Sequence, residues 1–271
     1  FCSIRNNTMV GNIVLAGHGI HLLESGDSEI LENELNISGN GWSYGILVEL
    51  CEKFKVIGNK VITSTNSDNS GIEIRDSEGT FLNRSIVANN MVSLETHTYS
   101  YFIDSDDIVG IMAHQTGYIN YVNNSVLIHG DSARASGLFI DLSNSFNPSC
   151  VGNNIYNNNI VNNSEGTALM CRSLTSLGGL DSLNNNNYYS NGPYPCKYGY
   201  GANPNASLQQ WQSGHADRRA RLGPCHTCGS GKSENPSPGG AGGRKTGFQE
   251  GGRQSVTPSP LRYSSTPRSS I

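Results

Sequence analysis

A glycine followed by alternating apolar and polar residues recurs along the first two-thirds of the chain. Three copies begin at Gly19, Gly45 and Gly71, 26 residues apart. Weaker copies begin at Gly110, Gly137 and Gly166. Alternation with a period of two puts the apolar side chains on one face of a strand. Each copy therefore predicts a short strand whose apolar face is buried.

An asparagine between apolar residues recurs with the same period. The pattern is apolar-x-x-Asn-x-apolar, and its asparagines are Asn7, Asn33, Asn59, Asn89, Asn124 and Asn158. Each unit predicts three short strands separated by polar turns, and such strands bury their apolar faces by stacking as successive coils. The asparagine suits a tight left-handed turn, and one amide per coil would stack into a ladder.

Together these signals over residues 1–191 resemble the right-handed parallel β-helix repeat of the pectate-lyase-like superfamily, of the secreted bacterial type. The resemblance implies an all-β, right-handed parallel β-helix (a solenoid) of about six to seven coils with an Asn ladder. It implies no particular activity, because one fold supports many functions. An antiparallel sandwich would need hairpin turns every 8–12 residues, which are scarce here.

The two ends of the chain differ from the repeat. Residues 192–212 include a Ser-Leu-x-x-Trp-Gln element that resembles the C-terminal capping segment of secreted bacterial β-helix proteins. Residues 213–271 are rich in Gly, Ser, Pro and Arg and predict a disordered tail. This tail is either a natural basic linker or an out-of-frame translation, and its abrupt start after the cap favours the second. Because the first repeat begins midway through a coil at Ile4, we interpret the sequence as a fragment.

Composition and charge narrow the class of protein. Only 15% of the 271 residues are charged, and Gly and Asn are abundant, which argues against a helical bundle. Residues 213–271 carry a net charge of +6 and the rest of the chain −10, so the acidic body does not suit nucleic acid. No apolar run reaches the roughly 18 residues of a membrane span. The resemblance to secreted β-helix proteins further implies a location outside the cell or at its surface, and we expect a monomer.

The strand after each glycine carries the candidate catalytic residues. The fourth residue after successive glycines is predicted to project outward, and stacking would align Glu49, Arg75, His114 and Asp141 in one row. In the pectin-acting families that the repeat resembles, this strand carries the saccharide groove. Arg75 or His114 would then accept a proton, and Glu49 or Asp141 would act as an acid or metal ligand. The alternative is a surface stripe of alternating charge that stabilises the stacked strands.

The second residue after each glycine is predicted to extend the same groove. His21 and Glu73 would contact substrate, and Met112 and Phe139 would serve as apolar platforms for sugar rings. The sequence thus predicts a protein that binds a polysaccharide and either cleaves it, as a polyuronide lyase or glycoside hydrolase, or leaves it intact. The alternative function is a non-catalytic structural or adhesive module.

Ca²⁺ is the candidate cofactor. The longest turn, at residues 92–109, contains Asp104, Asp106 and Asp107, and clustered carboxylates hold Ca²⁺ in proteins. Lyases of this fold often use the ion to neutralise a uronate, so the resemblance favours a metal site here. A solvated polar turn is the alternative.

Two further motifs have weaker implications. Residues 16–19 read Ala-Gly-His-Gly, which is similar to the Gly-His-Gly of polygalacturonases, but the aspartate motifs that precede it in that family are absent. We therefore interpret His18 and Gly19 as the ordinary start of a coil. Cys171 and Cys196 could pair in an oxidising compartment, whereas the single Cys-x-x-Cys at Cys225 and Cys228 lacks a second ligand pair for a metal.

Overall fold

The computed structural model describes residues 1–13, 15–65, 69–96, 108–130, 132, 134–142, 151–173, 180–193, 195–198 and 228–230. All of them lie in the compact unit Phe1–Ser233. Within these ranges the chain forms 22 β-strands and no helix, so no described helix could span a membrane.

Three parallel sheets make up the fold. The first sheet contains, in spatial order, β1 (Ser3–Arg5), β4 (Glu29–Leu31), β7 (Lys55–Ile57), β10 (Ser85–Ala88), β13 (Ile119–Val122), β16 (Asn153–Tyr156) and β19 (Leu180–Asn184). The second sheet contains β2 (Thr8–Ile13), β5 (Glu34–Gly39), β8 (Lys60–Thr65), β11 (Met91–Thr96), β14 (Ser125–Gly130), β17 (Asn159–Asn162), β20 (Asn187–Ser190) and β22 (Cys228–Ser230). The third sheet contains β3 (Ala16–Leu23), β6 (Trp42–Glu49), β9 (Asn69–Arg75), β12 (Ile108–His114), β15 (Ala135–Leu142), β18 (Thr167–Ser173) and β21 (Cys196–Tyr198).

Each strand pairs with the equivalent strand of the next coil, so the chain winds through the three sheets in turn. The pairing is parallel throughout, as between β6 and β9 or between β7 and β10. The result is a parallel β-solenoid of about six turns, which confirms the predicted β-helix. Strand β22 falls within the predicted tail and pairs with β20. The rest of the tail and the predicted capping residues 199–212 lie outside the described residues.

The interior is built from the apolar residues that the repeat predicts to face inward. The residues that follow the motif glycines are buried in one continuous core: Ile20, Ile46, Ile72, Ile111 and Leu138. Residues of the second sheet complete the core from the opposite side, among them Val61, Val92, Val126 and Ile160. Burial of one such side chain contributes about 1.5–3 kcal/mol, which explains why each coil needs its neighbours.

The motif glycines are required by close packing at a bend in the third sheet. A Cβ atom on Gly45 would lie 2.2 Å from Cγ1 of Val61 and 2.4 Å from the carbonyl oxygen of Gly71. The sixth copy of the motif is displaced from its predicted place. Leu138 pairs with Leu169, so Ala168, and not Gly166, occupies the position of the bend in that coil.

A ladder of seven asparagines crosses the turns between the first and second sheets. Its side-chain amides donate to the Oδ1 atom of the next asparagine over 2.9–3.0 Å, and its members are Asn7, Asn33, Asn59, Asn90, Asn124, Asn158 and Asn186. The Nδ2 of Asn90 also donates to the carbonyl oxygen of Val56, 2.9 Å away. The predicted Asn ladder is therefore confirmed, and it extends one coil further than the sequence pattern indicated.

Two details of the predicted ladder are wrong. The ladder contains Asn90 rather than Asn89, because the apolar residues that frame the turn are Val87 and Val92. Asn89 is exposed and has a φ of 55°. The left-handed backbone thus belongs to the residue before each ladder asparagine, and Gly58 occupies this place one coil earlier with a φ of 70°.

The predicted pairing of Cys171 with Cys196 does not occur. Both cysteines are buried on neighbouring strands and are not joined to each other. Cys196 pairs in register with Leu169, and Cys171 with Tyr198, so the two cysteines are diagonal neighbours. Diagonal neighbours lie about 7–8 Å apart, which is too far for a disulfide. Burial raises the pKa of the Cys171 thiol to about 12, so it stays protonated.

Candidate functional site

The outer face of the third sheet aligns the four candidate catalytic residues. In register, Glu49 pairs with Arg75, Arg75 with His114, and His114 with Asp141. The row continues to Arg172 of β18, which the sequence interpretation did not include. We call these five positions the outer row. Parallel pairing therefore places the predicted residues side by side at intervals of ~4.8 Å.

Among the residues that the structure describes, the most exposed side chains of the outer face lie on its first two strands. There His18 and His21 are exposed, Tyr44 is half-buried, and Leu23 and Trp42 are 50% and 46% exposed. We call these five residues the open region.

Beyond the open region several outward-facing positions are buried, whereas Met112 and His114 are half-buried. Leu47, Glu73, Val109, Phe139 and Asp141 all have exposures of 4% or less, and we call them the covered region. Leu47, Val109 and Phe139 alternate with core residues along their strands but do not belong to the interior cluster. The predicted groove is therefore solvent-accessible along only part of its length.

Two histidines and a tyrosine form the centre of the open region. Residues three apart in a regular strand face opposite sides, yet the rings of His18 and His21 have centroids 4.8 Å apart. The bend at Gly19 explains this, because the strand pairing passes from His18 with Tyr44 to Ile20 with Ile46. The Tyr44 ring stacks on His18 with centroids 5.0 Å apart and an angle of 22°.

Arg75 connects the open and covered regions. Its Nε donates to Oε1 of Glu73 over 2.9 Å, and its Nη1 lies 3.6 Å from Oε1 of Glu49. Its guanidinium carbon is 6.0 Å from the centroid of the Tyr44 ring. Burial by itself lowers the pKa of Arg75, but the Glu73 carboxylate and the Tyr44 hydroxyl together outweigh it, so the pKa is raised. Arg75 therefore remains charged, and it compensates the buried carboxylate of Glu73 at an outward-facing position.

The histidines of the open region are linked to this charged network. Nε2 of His21 lies 3.3 Å from Oε2 of Glu49. Partial burial lowers the pKa of His18, and the neighbouring His21 lowers it further. His18 is therefore neutral at pH 7, with a ring that can accept or donate a hydrogen bond.

A second cluster occupies the far end of the outer row. Nε2 of His114 and Nη1 of Arg172 lie 3.9 and 3.4 Å from Oδ2 of Asp141. The Arg172 guanidinium carbon lies over the Phe139 ring, 5.0 Å from its centroid. Phe139 is fully buried, so it offers no exposed ring to a ligand in this structure, and Met112 is half-buried. The predicted catalytic residues consequently form two clusters, one around Arg75 and one around Asp141.

The predicted metal residues Asp104, Asp106 and Asp107 lie outside the described residues. Among the residues that the structure describes, no group of three or more His, Cys, Asp or Glu side chains is arranged to hold a metal ion.

Four residues of this face were not singled out by sequence reasoning as parts of a site: His18, Trp42, Tyr44 and Arg172. His18 and Tyr44 immediately precede motif glycines, and Trp42 lies two residues before Tyr44. Alternation counted from each glycine predicts the outward-facing positions after the bend and does not reach those before it. The signal that could have found them is the aromatic character of the residues just before Gly19 and Gly45.

The fold defines the class of this protein as a parallel β-solenoid. No protein-family model matches the chain, and neither a curated protein nor a solved structure matches it.

Proposed function

We propose that the open region and the adjoining outer row bind a polysaccharide, outside the cell or at its surface. The observation that supports this most is the placement of exposed aromatic rings beside charged groups on consecutive strands. Trp42 and Tyr44 belong to β6, the histidines to β3, and Arg75 to β9. Flat apolar rings and a few oriented polar groups are what a carbohydrate site needs.

The strand spacing supports an extended ligand. Successive strands are ~4.8 Å apart, which is close to the advance of one sugar unit along an extended glycan. If a glycan lay across the strands, each successive sugar would therefore contact the equivalent outward-facing residues of the next strand. The ion pairs of Arg75 with Glu49 and Glu73 fix these side chains before a ligand arrives, which lowers the entropy cost of binding.

Cleavage of the bound glycan is the catalytic form of this proposal. A hydrolase would use a carboxyl group as its acid, for which Glu49, with a side chain 25% exposed beside the open region, is the accessible candidate. A lyase would need a proton acceptor near the sugar, for which His114 is the candidate, because Arg75 keeps its charge. The proposed Ca²⁺ at Asp104, Asp106 and Asp107 would neutralise a uronate carboxylate in that reaction.

A non-catalytic structural or adhesive module is the second candidate function. It is favoured by the alternation of charge along Glu49, Arg75, His114, Asp141 and Arg172. Opposite charges on neighbouring strands contribute about 0.2–1 kcal/mol per pair, which is a sufficient reason for such a row.

Binding is tested by titrating the full chain with a panel of polyuronides and neutral glycans in a calorimeter. We expect one glycan class to bind and Trp42→Ala to weaken it by about tenfold, since a stacked aromatic contact is lost. The matched control is Phe81→Ala, which removes a 70% exposed ring from the turn between β9 and β10. Binding by no glycan, or an equal loss in both variants, would contradict the proposal.

Cleavage is tested on the same panel by following unsaturated-uronide absorbance and new reducing ends, with Ca²⁺ and then with a chelator. Absorbance that depends on Ca²⁺ indicates a lyase, and reducing ends alone indicate a hydrolase. Binding without either product supports the non-catalytic module.

A further inference from the structure

We propose that His18 and His21 act as a pH-dependent switch that favours anionic polysaccharides at mildly acidic pH. This inference rests on the proposed glycan-binding function and adds to it the charge of the ligand and the condition under which it binds.

The charges that face the two histidines come from three strands. On β3 the two rings face each other, with centroids 4.8 Å apart. Strand β6 contributes Tyr44 and Glu49, and strand β9 contributes Glu73 and Arg75. With both imidazoles neutral, the two carboxylates and the one guanidinium sum to −1. With both imidazoles protonated, the sum is +1, so the sign of the site reverses.

Protonation of the pair is opposed in the free protein and favoured by an anion. Two imidazolium ions with ring centroids 4.8 Å apart repel each other, and Arg75 adds a further positive charge nearby. Partial burial, and after it the repulsion by His21 and Arg75, lower the pKa of His18 below its ordinary value of 6.5. A bound carboxylate or sulfate would offset this repulsion, so binding of an anion and uptake of protons promote each other. Histidine is the side chain that undergoes this change between about pH 5 and 8.

The experiment compares polygalacturonate with its fully methyl-esterified form, which keeps the backbone and removes the charge. Titrations of the full chain at fixed ionic strength would be run at about pH 7.5 and about pH 5.5. We expect polygalacturonate to bind about fivefold more tightly at the lower pH, and we expect protons to be taken up on binding. The proton uptake is measured by repeating each titration in buffers that differ in ionisation enthalpy and comparing the observed binding enthalpies. The esterified polymer should bind equally at both pH values.

Variants assign the effect to the two histidines. The double variant His18→Asn, His21→Gln should bind polygalacturonate without the pH dependence and without proton uptake. His129→Gln, which replaces an exposed histidine of β14 on the second sheet, is the control and should keep both. A circular dichroism spectrum at each pH shows that every protein is folded.

Three outcomes overturn the inference: affinity for polygalacturonate that does not change with pH, a dependence that survives in the double variant, or no binding of either polymer. The proposed function is judged separately. It stands if any glycan of the wider panel binds at the open region, and it fails together with the inference if none does.

Discussion

The open and covered regions of the third sheet share one alternation pattern but have different environments. Both consist of outward-facing side chains on adjacent parallel strands. In the open region Trp42 is 46% exposed, whereas in the covered region Glu73 and Phe139 are 2% and 0% exposed. The place of a residue in the alternation along its strand therefore determines which way its side chain points, whereas the surrounding structure determines how exposed that side chain is. Among the described residues, the open region is where outward direction coincides with the greatest exposure to solvent.

Arg75 lies at the boundary between the two regions and shows what each requires. Its contact with Glu73 compensates a carboxylate that is almost fully buried, while its contact with Glu49 reaches a partly exposed carboxylate that also contacts His21. A buried charge needs a partner to be tolerated. Arg75 thus has a structural role in the covered region and lies at the edge of the proposed binding surface.

The largest expected effect is a loss of stability, and it should be greater on removal of the Phe139 ring than on removal of the Trp42 ring. Phe139→Ala removes a fully buried ring, and loss of its packing should lower the free energy of unfolding by about 3 kcal/mol. Trp42→Ala, at a 46% exposed position, should cost about 1 kcal/mol. Urea-induced unfolding followed by circular dichroism measures both.

This prediction tests whether the covered region belongs to the packed structure. Equal stability losses in the two variants would show that Phe139 is not held in a buried environment. The distinction between the open and covered regions would then be wrong.

Much of the fold could be predicted from the sequence because its signals are local and repeated. A glycine before an apolar strand and an asparagine at a turn recur often enough that an error at one coil does not alter the architecture. The errors occurred where neighbouring residues satisfy the same pattern. Asn89 and Asn90 are adjacent and chemically identical, and only the framing by Val87 and Val92 shows which one is buried.

The next effect, in order of size, concerns the buried carboxylate. Arg75→Met should lower the free energy of unfolding by about 2 kcal/mol, because Glu73 is left in a buried site without its cationic partner. The value is below that of a fully buried pair, since the Arg75 side chain is 31% exposed and partly screened by solvent. Urea midpoints measured at neutral pH give the difference.

A second substitution isolates the charge from the lost packing. Adding Glu73→Gln to Arg75→Met removes the unpaired charge, so the double variant should recover about half of the loss. If the double variant is less stable than Arg75→Met alone, Glu73 is stabilised by other contacts and the assignment of Arg75 as its essential partner is incorrect.

The candidate site was harder to predict than the fold because its properties are not local. The register of Glu49, Arg75, His114 and Asp141 follows from counting residues after each glycine, and the structure agrees with it. The exposure of Phe139 does not follow from counting, since it depends on what packs over the sheet. The His18–His21 pair was missed because it requires the bend at Gly19, which places residues three apart on the same face.

The smallest expected effect is a pH dependence of stability that arises from the open region. The pKa of His18 is lowered in the folded protein by partial burial and by His21, so the unfolded chain binds more protons near the ordinary pKa of 6.5. The contribution of His18 is therefore fully present above that value and is lost as the pH falls through the folded-state pKa. When the pH falls from about 7.5 to about 5.5, the free energy of unfolding should decrease less in His18→Asn than in the unsubstituted protein. The two decreases should differ by less than about 0.5 kcal/mol, because solvent screens an exposed ring.

Urea midpoints across this pH range measure the difference, and His129→Asn is a control that should keep the pH dependence of the unsubstituted protein. Identical slopes for His18→Asn and the unsubstituted protein would show that His18 titrates alike in the folded and unfolded states, and the electrostatic coupling of the two histidines would have to be abandoned.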